Sequence, residues 1–480
     1  MEKQLQMKYF LLVLLASISL SALSQNNVRD SEEGRITFPP LPAQPEQAVT
    51  TPPDPVPLAP SPSPTIAPAA SPTPPALATN DPTNNTPNRL GNTGDLWDRI
   101  RRGFAMPDLQ NEYVQDRERW YSTRPDYINR MTVRTKKYLF HVVEELEARK
   151  MPTELALLPF IESAFNPQAV SSAKAAGMWQ FIPSTGKYYA LKQNMFRDDR
   201  RDVLASTRAA LDYLQKLYTQ FGDWHLALAA YNWGEGSVGR AIAKNKQLGA
   251  STAYSDLKMP NETRYYVPKL QAVKNMVAHP ARFNMQLDPI DNHPYFRSVP
   301  ITRDMDVALA AELAEVSLSD FKALNPSLSR PVILAAGTPQ VLMPWANADA
   351  FSANLERRKG QLASWTAWVT PTALKPQDAA KRVGMSEAAL REVNGISVKI
   401  GTIKAGSTLL IPRSVHKQED VTAHVADNGQ LTMLAPAKAR LKAKAKNKAR
   451  TQSALKSVTK SNSRSTITKT KTKRKVHAPK

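Results

Sequence analysis

The sequence contains no cysteine and few histidines, and both shortages exclude kinds of chemistry. Without cysteine, the chain can form no disulfide, use no thiolate nucleophile and offer no thiolate to a metal. Only 7 of its 480 residues are histidine, and no H-E-x-x-H or similar metal-ligand spacing occurs. We therefore expect neither a metal centre nor another cofactor.

Aromatic residues are also scarce, at 7 % of the chain, and they are concentrated between Trp97 and Trp368. The length is sufficient for roughly two to four domains, with a full-sized core in at least one of them. The net charge is +22, which favours a polyanionic neighbour.

The first 24 residues have the pattern of a secretory signal peptide. Lys3 and Lys8 supply a positive first region, and the apolar stretch from Phe10 to Leu23 is too short for a comfortable membrane span. A small-x-small site precedes Gln25, so residues 1–24 are predicted to be removed. An uncleaved membrane anchor is the alternative interpretation.

Two segments have compositions that do not support a packed core. Residues 25–92 are rich in proline, alanine, threonine and serine, which predicts an extended, disordered linker. Residues 414–480 are predicted to be a disordered basic tail, since its part from Ala437 to Lys480 holds 16 lysines and arginines and no acid. Anionic envelope polymers or lipids are possible partners of a tail behind a signal peptide. A merely solvated tail is an equal alternative, and nucleic acid is the less expected partner.

Residues 93–291 have the periodicity of helices. One apolar stripe contains Tyr138, Val142, Val143 and Leu146, and another contains Ala210, Tyr213, Leu214, Leu217 and Phe221. No long alternating pattern typical of strands occurs here, so this domain is predicted to be mainly α.

Leu155, Leu158 and Glu162 are spaced so that one helical face carries a carboxylate beside two leucines. Such a carboxylate is costly unless it is paired or has a raised pKa, and a raised pKa suits a general acid near neutral pH. A glutamate paired with a buried arginine fits equally well. Pro159 is expected to kink the segment. The following run Gly177–Gln180 is either core packing or a groove wall for sugar rings.

Four segments in this order resemble the transglycosylase SLT family, which has a lysozyme-like fold. They are Glu162-Ser163 with Ser171 and Ala176–Gln180, then Asp198–Asp202, then Ala229–Gly234, then Glu262–Val267. The closer resemblance is to the membrane-bound lytic murein transglycosylase D type, and it extends from about Gly94 to Pro412.

This resemblance implies that Glu162 is the one catalytic residue and serves as both acid and base. The substrate-binding residues that it implies are Ser171, Gly177, Met178, Gln180, Tyr231, Asn232, Glu262 and Tyr266. Tyr231 is expected to bond near Glu162, and Gly177 to let the glycan approach closely. Glu262 lies either in the groove or in an ion pair with Arg264 or another arginine. Trp179 lies either in the groove wall or in the core. We interpret Asp198, Asp199 and Asp202 as structural, since acids favour the start of a helix.

Two later segments, 298–346 and 361–413, resemble each other and the LysM family of small βααβ modules that bind N-acetylglucosamine chains. Asn325 precedes Pro344 by 19 residues, and Asn394 precedes Pro412 by 18. The second copy matches the family in its closing loop, Lys404–Leu409, but departs from it in its opening loop at Thr370–Leu374. We expect the more degenerate first copy to be structural.

These observations predict a lytic transglycosylase that acts on peptidoglycan strands and leaves 1,6-anhydro-N-acetylmuramic ends. We expect a monomer exported to the periplasm or cell envelope, without the lipid of many D-type relatives, because lipidation needs a cysteine. Three alternatives stay open: a hydrolytic muramidase with Glu262 as second carboxylate, a non-catalytic peptidoglycan-binding protein, and a nucleic-acid binder, which the signal peptide disfavours.

Overall fold

The computed structural model describes residues 94–398, 401–414 and 419–434. These residues fall into two compact units, Lys216–Val267 and the remainder. The predicted signal peptide and linker lie outside the described residues, as does the basic tail beyond residue 434. In the described part of the chain, no helix has the length and apolarity needed to cross a membrane.

The larger unit begins with helices. They are α1 Leu96–Arg102, α2 Glu112–Ser122, α3 Pro125–Thr135, α4 Leu139–Ala148, α5 Leu158–Ser163, α6 Pro183–Tyr188 and α7 Val203–Phe221, which ends in the smaller unit, with a 3₁₀ turn at Thr153–Leu157. The stripe predicted on α4 is buried as expected. Asp95 caps α1 by accepting from the backbone N–H of Trp97. It also bridges to Asp291, which joins the two predicted ends of the helical domain.

The smaller unit is helical throughout its regular structure. It contains α8 Trp224–Trp233, α9 Glu235–Gln247, a 3₁₀ turn at Tyr254–Asp256 and α10 Asn261–Arg264, and α11 Tyr266–Ala278 begins in it. Asp223 caps α8 by accepting from the backbone N–H of Leu226 at 2.7 Å. Most of α8 is buried, as expected for a core helix.

Two βααβ modules follow in the larger unit. The first has β1 Phe296–Pro300, β2 Met305–Asp306, α12 Val307–Leu313, α13 Leu318–Leu324, β3 Val332–Ile333 and β4 Gln340–Pro344, followed by α14 Ala348–Arg357. The second has β5 Trp365–Val369, α15 Pro376–Arg382, α16 Glu387–Asn394, β6 Thr402–Ile403 and β7 Thr408–Pro412. In each module the outer strands, β1 with β4 and β5 with β7, pair antiparallel. The predicted order of a mainly α domain followed by small βααβ modules is confirmed.

The asparagine that marks the repeat has the same task in both modules. The side-chain amide of Asn325 donates to the carbonyl of Leu342 and its oxygen accepts from that residue's N–H, both at 2.8 Å. Asn394 makes the same pair of bonds to Leu410, at 2.9 and 2.7 Å. Each asparagine thus ties the end of the helix pair to the closing strand, which explains the similar Asn-to-Pro spacing.

The predicted disordered tail is wrong for its first part. Ala423–Asn428 form α17, and β8 Met433–Leu434 pairs antiparallel with β6. The segment 419–434, here named the strap, also contacts the helical domain, where the amide of Asn194 donates to the carbonyl of Ala426 at 3.0 Å.

Candidate active site

Glu162 lies near the end of the short helix α5, which the chain enters through a 3₁₀ turn. Because Leu155 belongs to that turn, the prediction that Leu155, Leu158 and Glu162 share one α-helical face is wrong. Pro159 stands in the first turn of α5, where proline is tolerated, instead of kinking a longer helix. Glu162 itself is half-buried.

The backbone reverses directly after this helix. Ala164 and Phe165 have φ values of 51° and 53°, in the left-handed region that residues other than glycine adopt at a cost. Phe165 is fully buried, and its ring meets Phe160 edge-on at a centroid distance of 4.8 Å. This aromatic packing helps to offset the cost and fixes the corner beside Glu162.

The residue after Glu162 fastens α5 to the Gly177–Gln180 run. The hydroxyl of Ser163 donates to the carbonyl of Met178 at 2.9 Å and accepts from the backbone N–H of Asn166 at 3.2 Å. Ser163 is buried, so the bond is shielded from competing water. The position of Glu162 relative to this run is therefore set by the side chain next to it.

The structure gives Gly177 and Met178 roles other than the predicted ones. Gly177 has a φ of +87°, and a Cβ there would stand 1.8 Å from the carbonyl oxygen of Arg200. The close approach that requires glycine is thus made by the chain's own backbone, not by a glycan. Met178 is 1 % exposed and fills the core instead of a groove wall. Trp179 is also core, and its indole N–H donates to Thr207 Oγ1 at 3.0 Å.

A cavity of about 960 Å³ has Glu162, Ser171 and Gln180 among its lining residues. Its volume lies in the range of small-molecule sites. The hydroxyl of Ser171 accepts from the backbone N–H of Ala175 at 3.0 Å, and the amide of Gln180 donates to the carbonyl of Gly177 at 2.8 Å. Three of the predicted site residues are therefore brought together, and two of them are held by bonds to the same loop.

The rest of the lining comes largely from α2, α3 and the turn between them. These residues are Arg117, Trp120, Tyr121, Thr123, Arg124, Pro125, Asp126, Tyr127, Arg130 and Arg134. The ring of Trp120 meets Tyr121 and Tyr127 edge-on, at 5.0 and 5.5 Å. None of these residues was predicted for the site. The pattern of arginines interleaved with Trp and Tyr in residues 117–134 could have indicated a binding surface. Asp126 adds a second carboxylate to the lining.

The other predicted groove residues belong to the smaller unit. Tyr231 and Tyr266 are 0 % and 3 % exposed, and Glu262 is half-buried. Asn232 accepts from the hydroxyl of Thr263 at 2.8 Å, which links α8 to α10. The predicted bond of Tyr231 near Glu162 stays a prediction.

Comparison with known proteins gives three family matches along the chain. Residues 143–253 match the transglycosylase SLT domain, 295–360 the LysM-like domain of lytic transglycosylase MltD, and 380–412 the LysM domain. The chain is 34 % identical over 360 residues to membrane-bound lytic murein transglycosylase D of Escherichia coli strain K12, covering 71 % of this chain and 79 % of that protein.

The chain belongs to the membrane-bound lytic murein transglycosylase D family. More distant similarity extends to membrane-bound lytic murein transglycosylase C of Glaesserella parasuis, at 28 % identity over 35 % of this chain and 53 % of that protein. The soluble lytic murein transglycosylase of Escherichia coli strain K12 is 29 % identical over 25 % of this chain and 19 % of that protein. The predicted enzyme class, a lytic transglycosylase, is confirmed.

The SLT match of this transglycosylase covers only part of the site. It contains Glu162, Ser171 and Gln180 but ends before Glu262, and α2 and α3 precede it. In the part of the chain that the structure describes, no group of histidines and carboxylates is arranged to hold a metal ion.

The acidic residues before α7 of the transglycosylase have structural partners. The carboxylate of Asp198 accepts from Arg200 through Nε at 2.9 Å and Nη2 at 2.8 Å. Asp202 accepts from the backbone N–H of Ala205 at 2.8 Å and so caps α7. Burial raises the pKa of Asp199 to about 6. The structural interpretation of these acids agrees with these contacts.

Proposed function

We propose that this transglycosylase cleaves the β-1,4 bond between N-acetylmuramic acid and N-acetylglucosamine in peptidoglycan, with Glu162 as the only acid and base. The Glu162 carboxyl first gives its proton to the leaving glycosidic oxygen. The resulting carboxylate then takes the proton of the C6 hydroxyl on the same muramic residue, while that oxygen bonds to C1. A 1,6-anhydro ring closes, the carboxyl is restored and no water is consumed.

The observation that carries this proposal is the place of Glu162, half-buried in the lining of a cavity large enough for sugar rings. One carboxylate suffices for this reaction because the nucleophile belongs to the substrate, whereas hydrolysis normally uses two. The hydroxyl of Ser171 and the amide of Gln180 are suited to orient sugar hydroxyl and acetamido groups. Tyr231, Asn232, Glu262 and Tyr266 remain proposed groove residues on the family resemblance.

The masses of the muropeptides released by the purified full chain test the proposal. We expect products one water lighter than hydrolysed reducing ends, because an anhydro end forms without water. Reducing ends in the wild-type digest would instead favour a muramidase. For a muramidase, Asp126 is a candidate for the second carboxylate, because it lines the same cavity as Glu162.

We further propose that the enzyme is exported to the periplasm or envelope, acts as a monomer and holds glycan strands with its second LysM module. In the second module, the backbone N–H of Thr370 donates to the carbonyl of Ser407 at 2.8 Å, so its altered opening loop is joined to the matching closing loop. N-terminal sequencing of the protein from the cell envelope tests cleavage before Gln25. Retention on insoluble peptidoglycan, with and without residues 361–434, tests glycan binding.

A further inference from the structure

The lining that α2 and α3 give to the cavity is cationic. Residues 112–135, here named the α2–α3 wall, contribute Arg117, Arg124, Arg130 and Arg134, and Lys269 adds a further cation. The carboxylates of the lining are Glu162 and Asp126. Positive charge therefore exceeds negative charge beside the proposed acid, in a concave site where the potential is focused.

The arginines of this wall are placed at the site. Nη1 of Arg134 lies 3.3 Å from the carbonyl oxygen of Ala164, which follows Glu162 by two residues. The guanidinium of Arg124 lies 4.4 Å over the ring of Trp120. Burial raises the pKa of Tyr127, while the charges of Arg134 and Arg130 act in the opposite direction. Both cations therefore stand near that ring.

In the described part of the chain, three of these arginines are not neutralised by ion pairs with carboxylates. Arg124, Arg130 and Arg134 are exposed, and none of the three forms an ion pair with a carboxylate in the described part of the chain. A solvated helix face is the ordinary explanation for exposed arginines. Here, however, the three arginines line the same cavity as Glu162, and an aromatic cluster holds the helix pair that carries them.

We propose that the α2–α3 wall binds free carboxylates of the stem peptide that hangs from the muramic residue of the substrate, which makes peptide-bearing strands the preferred substrate. This inference rests on the proposed function. The peptide starts at the lactyl group of the sugar whose bond is cleaved, so its carboxylates lie close to the reacting centre. Guanidinium groups pair with carboxylates in a fork geometry that ammonium groups do not reproduce. The muramic lactyl carboxylate of peptide-free strands offers the same chemistry from another source, and the test separates the two.

The direct test measures binding in full chains that carry Glu162→Gln, so that cleavage does not interfere. The variant adds Arg130→Gln and Arg134→Gln, and the matched control adds Arg102→Gln and Arg282→Gln, two exposed arginines outside both the α2–α3 wall and the cavity lining. We expect the Kd for soluble peptide-bearing strands to rise about three- to ten-fold in the variant only. For strands freed of peptides by an amidase, we expect no change.

Equal weakening on peptide-free strands, equal weakening in the control, or no weakening would each overturn the inference. A kinetic measurement with Glu162 intact provides a second readout. We expect Arg130→Gln to raise KM on peptide-bearing strands and leave kcat unchanged, because it is Arg134, not Arg130, that donates to the backbone carbonyl of Ala164. A fall in kcat on both substrates would assign the arginine to catalytic geometry instead. Because binding is measured in an inactive protein, it decides the role of the wall even if the digest lacks anhydro ends.

Discussion

The two sides of the cavity differ in how their side chains are held. Residues 158–180, here named the Glu162 wall, are fixed by a left-handed corner, a buried serine and a glycine against a carbonyl oxygen. The α2–α3 wall instead presents exposed arginines on two regular helices. The comparison indicates that the proposed proton transfers take place on the Glu162 wall, where several contacts fix the backbone. Substrate recognition is proposed for the α2–α3 wall, where the side chains are accessible. Substitutions should therefore act through geometry on one wall and through charge on the other.

The largest effect is expected for Glu162→Gln, which keeps the size of the side chain but cannot exchange the proton. We expect lysis of purified peptidoglycan to fall by about 10²–10⁴-fold, the usual worth of general acid–base catalysis. The melting temperature should stay close to wild type. Arg119→Gln serves as the control from outside the cavity, and full activity of Glu162→Gln would refute the site.

Gly177→Ala tests whether the Glu162 wall tolerates any backbone change. The added Cβ would lie 1.8 Å from the carbonyl oxygen of Arg200, at a φ of +87°, so we expect the free energy of unfolding to fall by about 2–4 kcal/mol. Gly239→Ala in α9 is the matched control, because apart from its chain neighbours and its own helix backbone no atom lies within 4 Å of its Cβ position. There, alanine should stabilise the protein by about 0.5–1 kcal/mol. Similar unfolding curves for both variants would show that the contact between residue 177 and the carbonyl oxygen of Arg200 does not determine stability.

Ser163→Ala removes the bond that joins α5 to the Gly177–Gln180 run. The carbonyl of Met178 would lose a buried donor, so we expect a loss of about 1–2 kcal/mol in stability and a lower kcat. Ser122→Ala in the α2–α3 wall removes a comparable but exposed bond, to the carbonyl of Arg119 at 3.1 Å. It should cost less than about 0.5 kcal/mol. Equal losses in urea unfolding would contradict the difference between the walls.

Asp199→Asn tests a half-buried carboxylate, next in the chain to the Arg200 whose carbonyl packs against Gly177, through the dependence of stability on pH. Its pKa is about 6 in the folded protein against 3.8 for the ordinary group, so the folded state binds the proton more tightly. The stability that it contributes is complete below about pH 4 and is lost as the pH rises through 6. We therefore expect the neutral variant to gain roughly 2 kcal/mol in stability relative to wild type between pH 4 and pH 7. A difference in melting temperature that does not change with pH would contradict this.

The smallest effect is expected for Asp126→Asn. Asp126 stands in the first turn of α3, where its charge favours the helix dipole by about 0.3–1 kcal/mol. Lysis should change by less than about two-fold. A loss as large as that of Glu162→Gln, together with reducing ends among the products, would make Asp126 the second carboxylate of a muramidase.

Much of this organisation could be predicted from the sequence, because it depends on local patterns. The similar spacing from Asn325 and Asn394 to the closing prolines reflects one pair of hydrogen bonds repeated in each module. The helical stripe of α4 and the cap at Asp202 are likewise local. In the site, Glu162, Ser171 and Gln180 line one cavity as the motif implied.

What could not be predicted depends on contacts between distant parts of the chain. The reason for Gly177 is a carbonyl 23 residues further on, and no local pattern indicates that approach. From the sequence, Met178 fits a groove wall and the hydrophobic core equally well, and only its surroundings in the fold distinguish the two. The α2–α3 wall was missed because its arginines resemble a solvated face unless the helix pair is placed beside Glu162. The strap was predicted to be disordered because it has few apolar residues, and these pack only against other elements of the fold.

The strap also sets an order of events during synthesis. Its residue Asp427 contacts Lys192 and pairs with Arg197 at 3.0 Å, while β8 supplies the strand partner of β6. Lys192 and Arg197 are synthesised well over two hundred residues before Asp427, and β6 is synthesised about thirty residues before β8. The edge of β6 that pairs with β8 therefore stays unpaired until β8 emerges, and the bonds between the strap and the helical domain form only after that domain has been synthesised. A chain cut short before residue 434 would expose that edge to other chains.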